Sequence, residues 1–270
     1  MCLMNTSIAN PIREYWQDRA SQNEDSQAAT TNDVHLRELE INTIVATVKS
    51  FVAQPSSLLD VGCGDGYSTL AVAKALPGVA VRGIDYSSRM IEIARDRLAR
   101  DSESTRRVRF EVGDALDLAA TLESETFDVV LTDRCLINLP TLELQARAVG
   151  EIAAHVRPQG HYLAIENFAD GQQNLNDARA TVGLPPISVR WHNRFFTSEE
   201  FLRATRDAFD IIETKDFSSA YYFATRVIYS AMCKMRGEEP DYNHDIHRLA
   251  VHLPWTGRFS PIRMVVLRKN

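Results

Sequence analysis

Between residues 57 and 78 the chain reads SLLDVGCGDGYSTLAVAKALPG. An apolar run ends in three glycines at alternate positions, Gly62, Gly64 and Gly66, with Asp60 and Asp65 beside them. Glycine permits backbone angles and close approach that a Cβ would block. Amide groups at the start of the following helix face whatever lies beyond the turn. Bare backbone flanked by carboxylates suits a ligand that carries positive charge, and a pyrophosphate gains nothing from such neighbours. The dinucleotide pattern G-x-G-x-x-G also fails, because Tyr67 stands where its last glycine belongs. Cys63 reads as a small filler of the tight turn rather than a nucleophile.

A turn of this kind belongs at the carboxyl end of a strand in an open parallel sheet. The flanking chain supplies that sheet. Strand-like runs fall at 57–61, 79–84, 107–112, 127–132 and 161–166, with helix-like runs at 66–76, 87–100 and 141–156. Ile91, Ala94 and Leu98 share one helical face, and Leu142, Val149, Ile152 and Val156 another. The alternation predicts an α/β fold, a Rossmann-like doubly wound sheet covered on both sides. Upstream, IREYWQDRA predicts a short helix and 34–52 a longer one. Residues 21–33, SQNEDSQAATTND, read as a linker or mobile lid segment. Downstream, 167–195 has no strong period. Thr197 and Glu200 form a capping box, with Phe196 stapling onto Phe201. Strands are expected near 209–217 and 261–268.

At this point the chain resembles the class I S-adenosylmethionine-dependent methyltransferases of small-molecule type. LLDVGCGDG is similar to their first motif, and VRGIDYSSRMIEIAR, VRFEVGDALDL, FDVVLTDRCLINLP and VRPQGHYLAIENF follow in order. The resemblance covers about residues 57–168 and implies seven strands, the last antiparallel. It implies S-adenosyl-L-methionine as cofactor, whose ammonium and sulfonium suit Asp60 and whose carboxylate suits the backbone amides of the turn at Gly62, Cys63 and Gly64. It implies that Asp85 grips both ribose hydroxyls, that Asp114 accepts from the adenine amino group, and that Ala115 lies beside the ring. Tyr86, Met90 and Thr132 complete the expected cofactor set. In domain terms, 1–33 is expected as an N-terminal lid or linker. Residues 34–270 are the expected methyltransferase domain, with cap insertions at about 167–195 and 218–258.

The acceptor is expected over strands four and five, beneath those caps. They are rich in Tyr, Trp, His and Arg, a composition that shapes small-molecule pockets. Asp133, Arg134, Tyr15, Trp191, Asn193, Tyr222 and Arg226 are the candidate acceptor-binding residues. Arg134 and the cap arginines suggest an anionic group on the acceptor. His192 is the first candidate for a general base and Glu166 the competing one. Asp133 with Glu166 and Asn167 matches the strand-end positions of a magnesium-dependent branch, but the glutamate departs from its pattern, and no metal is expected. The expected reaction is methyl transfer to oxygen or nitrogen of a small polar metabolite. The alternatives are a carbon methyltransferase of quinone-like type and a noncatalytic S-adenosylmethionine-binding module.

The bulk composition limits the partners. A formal charge of −6 provides no field to attract nucleic acid or an anionic membrane. The Asn/Asp-Pro-Pro-aromatic motif of base-methylating enzymes is absent after strand four. Four cysteines without paired spacing predict reduced thiols, and no apolar run approaches ~20 residues. The start of the chain lacks a signal-peptide layout. A cytoplasmic monomer or homodimer is expected.

Overall fold

The computed structural model describes residues 6–22, 33–51, 57–101 and 106–270. Seven strands form one sheet: β1 (Ser57–Val61), β2 (Ala80–Asp85), β3 (Val108–Val112), β4 (Phe127–Asp133), β5 (Val156–Asn167), β6 (Phe209–Lys215) and β7 (Ile262–Lys269). Their order is β3-β2-β1-β4-β5-β7-β6. β1 to β5 run parallel, whereas β7 is antiparallel to both β5 and β6. The order reverses between β1 and β4, so the glycine turn after β1 opens beside the tip of β4. That is the switch point where ligands bind in open α/β sheets.

The central strands are apolar on both faces because both faces are covered. Leu58 packs into one core cluster and Leu59 into the other; Val129 and Leu131 alternate with Val130 in the same way. Each such buried side chain contributes about 1.5–3 kcal/mol relative to exposure. Helices α1 (Thr6–Gln22), α2 (Val34–Phe51), α3 (Tyr67–Ala75), α4 (Ser88–Ala99), the short α5 (Ala119–Leu122) and α6 (Leu142–His155) precede β5 or connect the strands before it. After β5 come α7 (Ala169–Thr181) and α8 (Ser198–Thr205). The capping box at Thr197 forms as predicted, and the Phe196 and Phe201 rings meet edge to face, 5.3 Å between centroids.

Two stretches differ from the sequence reading. Residues 169–181 form a regular helix although no apolar period marks it. Its buried positions are Gly171, Gln172, Leu175 and Arg179: helical spacing, but one apolar side chain. Gly171 is required, because a Cβ there would lie 2.0 Å from the Ser260 carbonyl oxygen. The 218–258 insertion is helical as well. It holds α9 (Ser219–Tyr222), a π-helical turn (Phe223–Tyr229), α10 (Ser230–Arg236) and α11 (Asp245–Ala250). Of the expected lid segment 21–33, residues 23–32 lie outside the described residues.

Candidate cofactor and acceptor cavity

The glycine turn is held by the neighbouring strand. The Gly62 and Cys63 amides both donate to the Ile84 carbonyl, at 2.7 and 3.0 Å. Gly62, Gly64 and Gly66 all have positive φ. At Gly62 the space is closed too, since a Cβ would lie 2.5 Å from Cys135 Sγ. Asp85, ending β2, faces the turn. Its carboxylate accepts from the Gly64 amide at 3.0 Å and the Ser87 amide at 2.9 Å. It is largely enclosed by protein at the cavity wall, and burial raises its pKa to about 6 against the pull of those two amides. Asp60 is buried, accepts from the Thr69 hydroxyl at 2.6 Å, and is pushed up to about 7 by burial. Asp65 caps Tyr67 N at 3.3 Å and pairs with Arg97 at 3.0 Å.

One cavity of about 520 Å³ runs from this turn to the cap. It brings together most of the expected cofactor residues: Asp60, Gly62, Cys63, Gly64, Asp85, Tyr86, Met90, Asp114 and Ala115. Thr132 is the exception. It is fully buried inside the sheet, its hydroxyl 2.9 Å from the Tyr162 hydroxyl, and does not reach the cavity. Asp114 accepts from the Leu116 amide and is ion-paired with Arg13 of α1, whose guanidinium also lies over the Tyr86 ring. The Tyr86 hydroxyl is buried with no hydrogen-bond partner among the described residues.

These features fit S-adenosylmethionine. Carboxylates beside the turn match ammonium and sulfonium, Asp85 presents a carboxylate at the strand end, and the turn leaves no room for side chains. Asp60, Gly62, Gly64, Asp85 and Asp114 would hold it.

The other end of the cavity is built from several separate segments. The tip of β4 supplies Asp133 and Arg134, the latter at φ +55°. The 136–138 turn and the end of β5 add Asn138 and Asn167; the loop before α8 adds His192 and Asn193; the π-helical turn and its flanks add Tyr222, Arg226 and Tyr242. Of the arginines expected to bind an anionic group, Arg134, Arg190 and Arg226 line the cavity, and two of them are seated on carboxylates of the chain. Arg134 donates to Glu40 of α2 at 3.0 Å and lies 3.5 Å from Asp133. Arg226 is paired with Asp33 at 2.5 Å and lies over the Tyr242 ring. Arg134 and Arg226 thus each have a carboxylate partner within the chain. Burial pushes the Glu40 carboxyl up, and Arg134 pulls it back.

Glu166 is corrected as a general base. It is fully buried and does not line the cavity. Its oxygens accept from the Leu136 and Ile137 amides at 3.0 and 3.3 Å, and burial raises its pKa to about 8. It is the anchor of the 136–138 turn, which also removes one carboxylate the magnesium reading would need. His192 does line the cavity. Burial, with Arg190 and Arg19 nearby, lowers its pKa to about 4, so it is a neutral imidazole and a much weaker base than its type suggests. Tyr15 and Trp191 are second-row neighbours rather than lining residues. Tyr15 stacks on His192 at 4.4 Å, and Trp191, 66% exposed, meets the same ring edge-on. Glu40, Asn138 and Tyr242 were invisible in the sequence. Glu40 sits in an ordinary helical stretch, and only the burial of a charged residue on its core face marks it.

Sheet order, glycine turn and strand-end acids define the Rossmann-like methyltransferase architecture. Residues 58–160 match the family model described as "Methyltransferase domain", and the motifs that resemble the class I S-adenosylmethionine-dependent methyltransferases fall within or beside that stretch. It is 32% identical over 125 residues to a demethylmenaquinone methyltransferase of Leptospira interrogans, covering 46% of this chain and 48% of that one. It is 34% identical over 105 residues to a norajmaline N-methyltransferase of Rauvolfia serpentina, covering 39% and 35%. The chain thus spans half or less of the curated relatives' length. The fold matches a magnesium protoporphyrin IX methyltransferase from Synechocystis PCC 6803 with TM-score 0.63 and 17% identity, over 97% of this chain and 99% of that one.

Proposed function

We propose that this chain transfers the methyl group of S-adenosylmethionine to an oxygen or nitrogen of a small polar metabolite. The observation that carries this is the continuity of one cavity, with the glycine turn at one end and a polar chamber at the other. Its volume is in the range of small-molecule sites, roughly 300–1,000 Å³. When bound, the cofactor supplies an activated methyl whose C–S bond breaks as the acceptor O–C or N–C bond forms, leaving a thioether and one proton. The protein's part is to position and to exclude water, which supplies up to ~7–11 kcal/mol of barrier lowering. Asp85 and the glycine turn hold the donor side. Helix α1 covers the cavity: Trp16 Nε1 donates to Asn138 Oδ1 at 3.1 Å, and Tyr15 packs on His192. The acceptor's proton has two sites on the wall, the Asp133 carboxylate and the neutral His192 imidazole.

The polar chamber favours oxygen or nitrogen acceptors over a quinone-like carbon acceptor, which calls for an apolar cap. No helix among the described residues is long and apolar enough to cross a membrane. The acidic composition favours a free metabolite over nucleic acid as the acceptor, and the location proposed is the cytoplasm. The test is product formation. Incubation with S-adenosylmethionine and a panel of hydroxyl, amine and quinol acceptors is expected to release S-adenosylhomocysteine with a hydroxyl or amine. Binding of the cofactor without turnover on any of them would favour the noncatalytic module.

A further inference from the structure

Charge is divided along the cavity. Near the glycine turn its walls carry Asp60, Asp65, Asp85 and Asp114, the sign that suits a sulfonium and an ammonium. At the other end the lining acids Asp33 and Asp133 lie against Arg226 and Arg134. Arg190 lines that end too, is exposed, and has no carboxylate partner among the described residues. Ion pairing with a neighbouring acid, the usual arrangement of an exposed arginine, is not met by the described wall at this point.

The chain fixes where Arg190 stands. The Asn193 amide donates to the Arg190 carbonyl at 3.0 Å, which closes a turn over 190–193. Within that turn the His192 ring packs against Tyr15 and Trp16 of α1, with centroids 4.4 and 5.7 Å away. The last turn of the same helix brings Arg19 to the cavity wall, where it also donates to the Tyr15 hydroxyl at 3.5 Å. Arg190 and Arg19 thus stand on two segments joined through one ring. The two charges acting on that ring are these guanidinium groups, both positive, and together with burial they keep the imidazole neutral. The charge of this edge of the cavity is therefore carried by arginine alone. A guanidinium offers N–H donors in a planar fork that matches a carboxylate or a phosphate. Opposite signs at the two ends would also orient an acidic acceptor, its anionic group at the cap and its nucleophile toward the sulfonium.

We propose that the methyl acceptor is a small acid, a carboxylate or a phosphate, whose anionic group is bound by Arg190 together with Arg19 at the cap edge of the cavity. The proposal rests on the methyl-transfer reading above and names the charge of the acceptor.

Two titrations keep the readings apart. The full chain is first titrated with S-adenosylhomocysteine by calorimetry; absence of binding at this step strikes the methyl-transfer reading itself. Saturation also occupies the amides of the glycine turn, so a further anion has to bind elsewhere. The saturated protein is then titrated at low salt with inorganic phosphate, malonate and the uncharged malonamide. Saturable binding of phosphate, malonate or both is expected, with malonamide at least roughly tenfold weaker. The tighter of the two anions distinguishes a phosphorylated from a carboxylated acceptor. Arg190→Gln is expected to weaken the anion about fivefold or more, the effect of one charge-assisted hydrogen bond. If that variant fails to bind S-adenosylhomocysteine, Arg19→Gln serves instead with the same expectation. Arg206→Gln, at an exposed arginine that does not line the cavity, reads adventitious binding and is expected to change nothing. No saturable binding of either anion, malonamide binding as tightly as the anions, an undiminished affinity in the folded cap variant, or an equal loss in Arg206→Gln overturns the proposal.

Discussion

At the scale of single residues, Asp85 performs two tasks with one carboxylate. It fixes the glycine turn through the Gly64 amide and faces the cavity where a ribose would sit. Its raised pKa of about 6 makes that second task depend on pH. The ionised form accepts hydrogen bonds and the protonated form loses part of that capacity. Affinity for S-adenosylhomocysteine should therefore be level between pH 7 and 8 and decline as pH falls below about 6, which calorimetry across that range reads directly. Asp85→Asn should lower the affinity by about 10- to 100-fold at pH 7.5, the loss of hydrogen bonds to a charged group worth ~1.5–3 kcal/mol. A variant that binds normally would remove Asp85 from the site. Gly62 tests the turn from the steric side. At φ +81° and 2.5 Å from Cys135 Sγ, an alanine Cβ is both strained and obstructed. Gly62→Ala should cost about 1–3 kcal/mol in a denaturant titration and abolish cofactor binding; wild-type stability would show that the turn is looser than drawn.

At the scale of elements, α1 forms one wall of the cavity. It reaches the site through the Arg13–Asp114 pair, the Trp16–Asn138 bond and the Tyr15–His192 stack. Asp114 is also the acid expected to receive the adenine amino group, so Arg13 competes with the ligand for it. Both partners are partly exposed, 42% and 33%, so the pair is worth about 1 kcal/mol or less. Arg13→Ala should raise S-adenosylhomocysteine affinity by up to about fivefold at low salt, an effect that shrinks as salt screens the wild-type pair. A fall in affinity would mean that Arg13 assists the ligand instead. The elements differ in how far the sequence announces them. β1 to β5 and α3, α4 and α6 are legible because apolar residues recur at their own periods. Helix α7 is not, since Gly171, Gln172 and Arg179 occupy three of its four buried positions. The π-helical turn is hidden for a related reason. It holds Arg226, which lines the cavity with Tyr222 at the end of α9, and its extra residue per turn is not followed by a 3.6-residue template. The cofactor side is legible because turn, strand-end acid and adenine-side acid are contiguous motifs. The acceptor side depends on pairings such as Tyr221 with Asp33, 188 residues apart, that no local pattern encodes.

At the scale of the whole molecule, burying acids on the central strands sets the sign of a pH dependence. Asp60 at about 7 and Glu166 at about 8 hold protons in the folded chain that the unfolded chain has already released. Where the native state binds more protons, stability falls as pH rises. Below about 6.5 the buried, neutral His192 opposes this, because it would gain a proton on unfolding. Between pH 6.5 and 8.5 the acids act alone of these three, so the ligand-free chain should lose melting temperature steadily across that interval. A melting temperature that is flat or rises there would mean these carboxylates are ionised in the native fold. The central claim, that the loop after β1 and the acid ending β2 form a seat for a sulfonium nucleoside, is tested most directly by calorimetric titration of the full chain with S-adenosylhomocysteine and, separately, with a nicotinamide dinucleotide. The account predicts saturable one-site binding of S-adenosylhomocysteine, weakened by Asp85→Asn, and no heat from the dinucleotide. A well-folded chain that takes up the dinucleotide and ignores S-adenosylhomocysteine would contradict it.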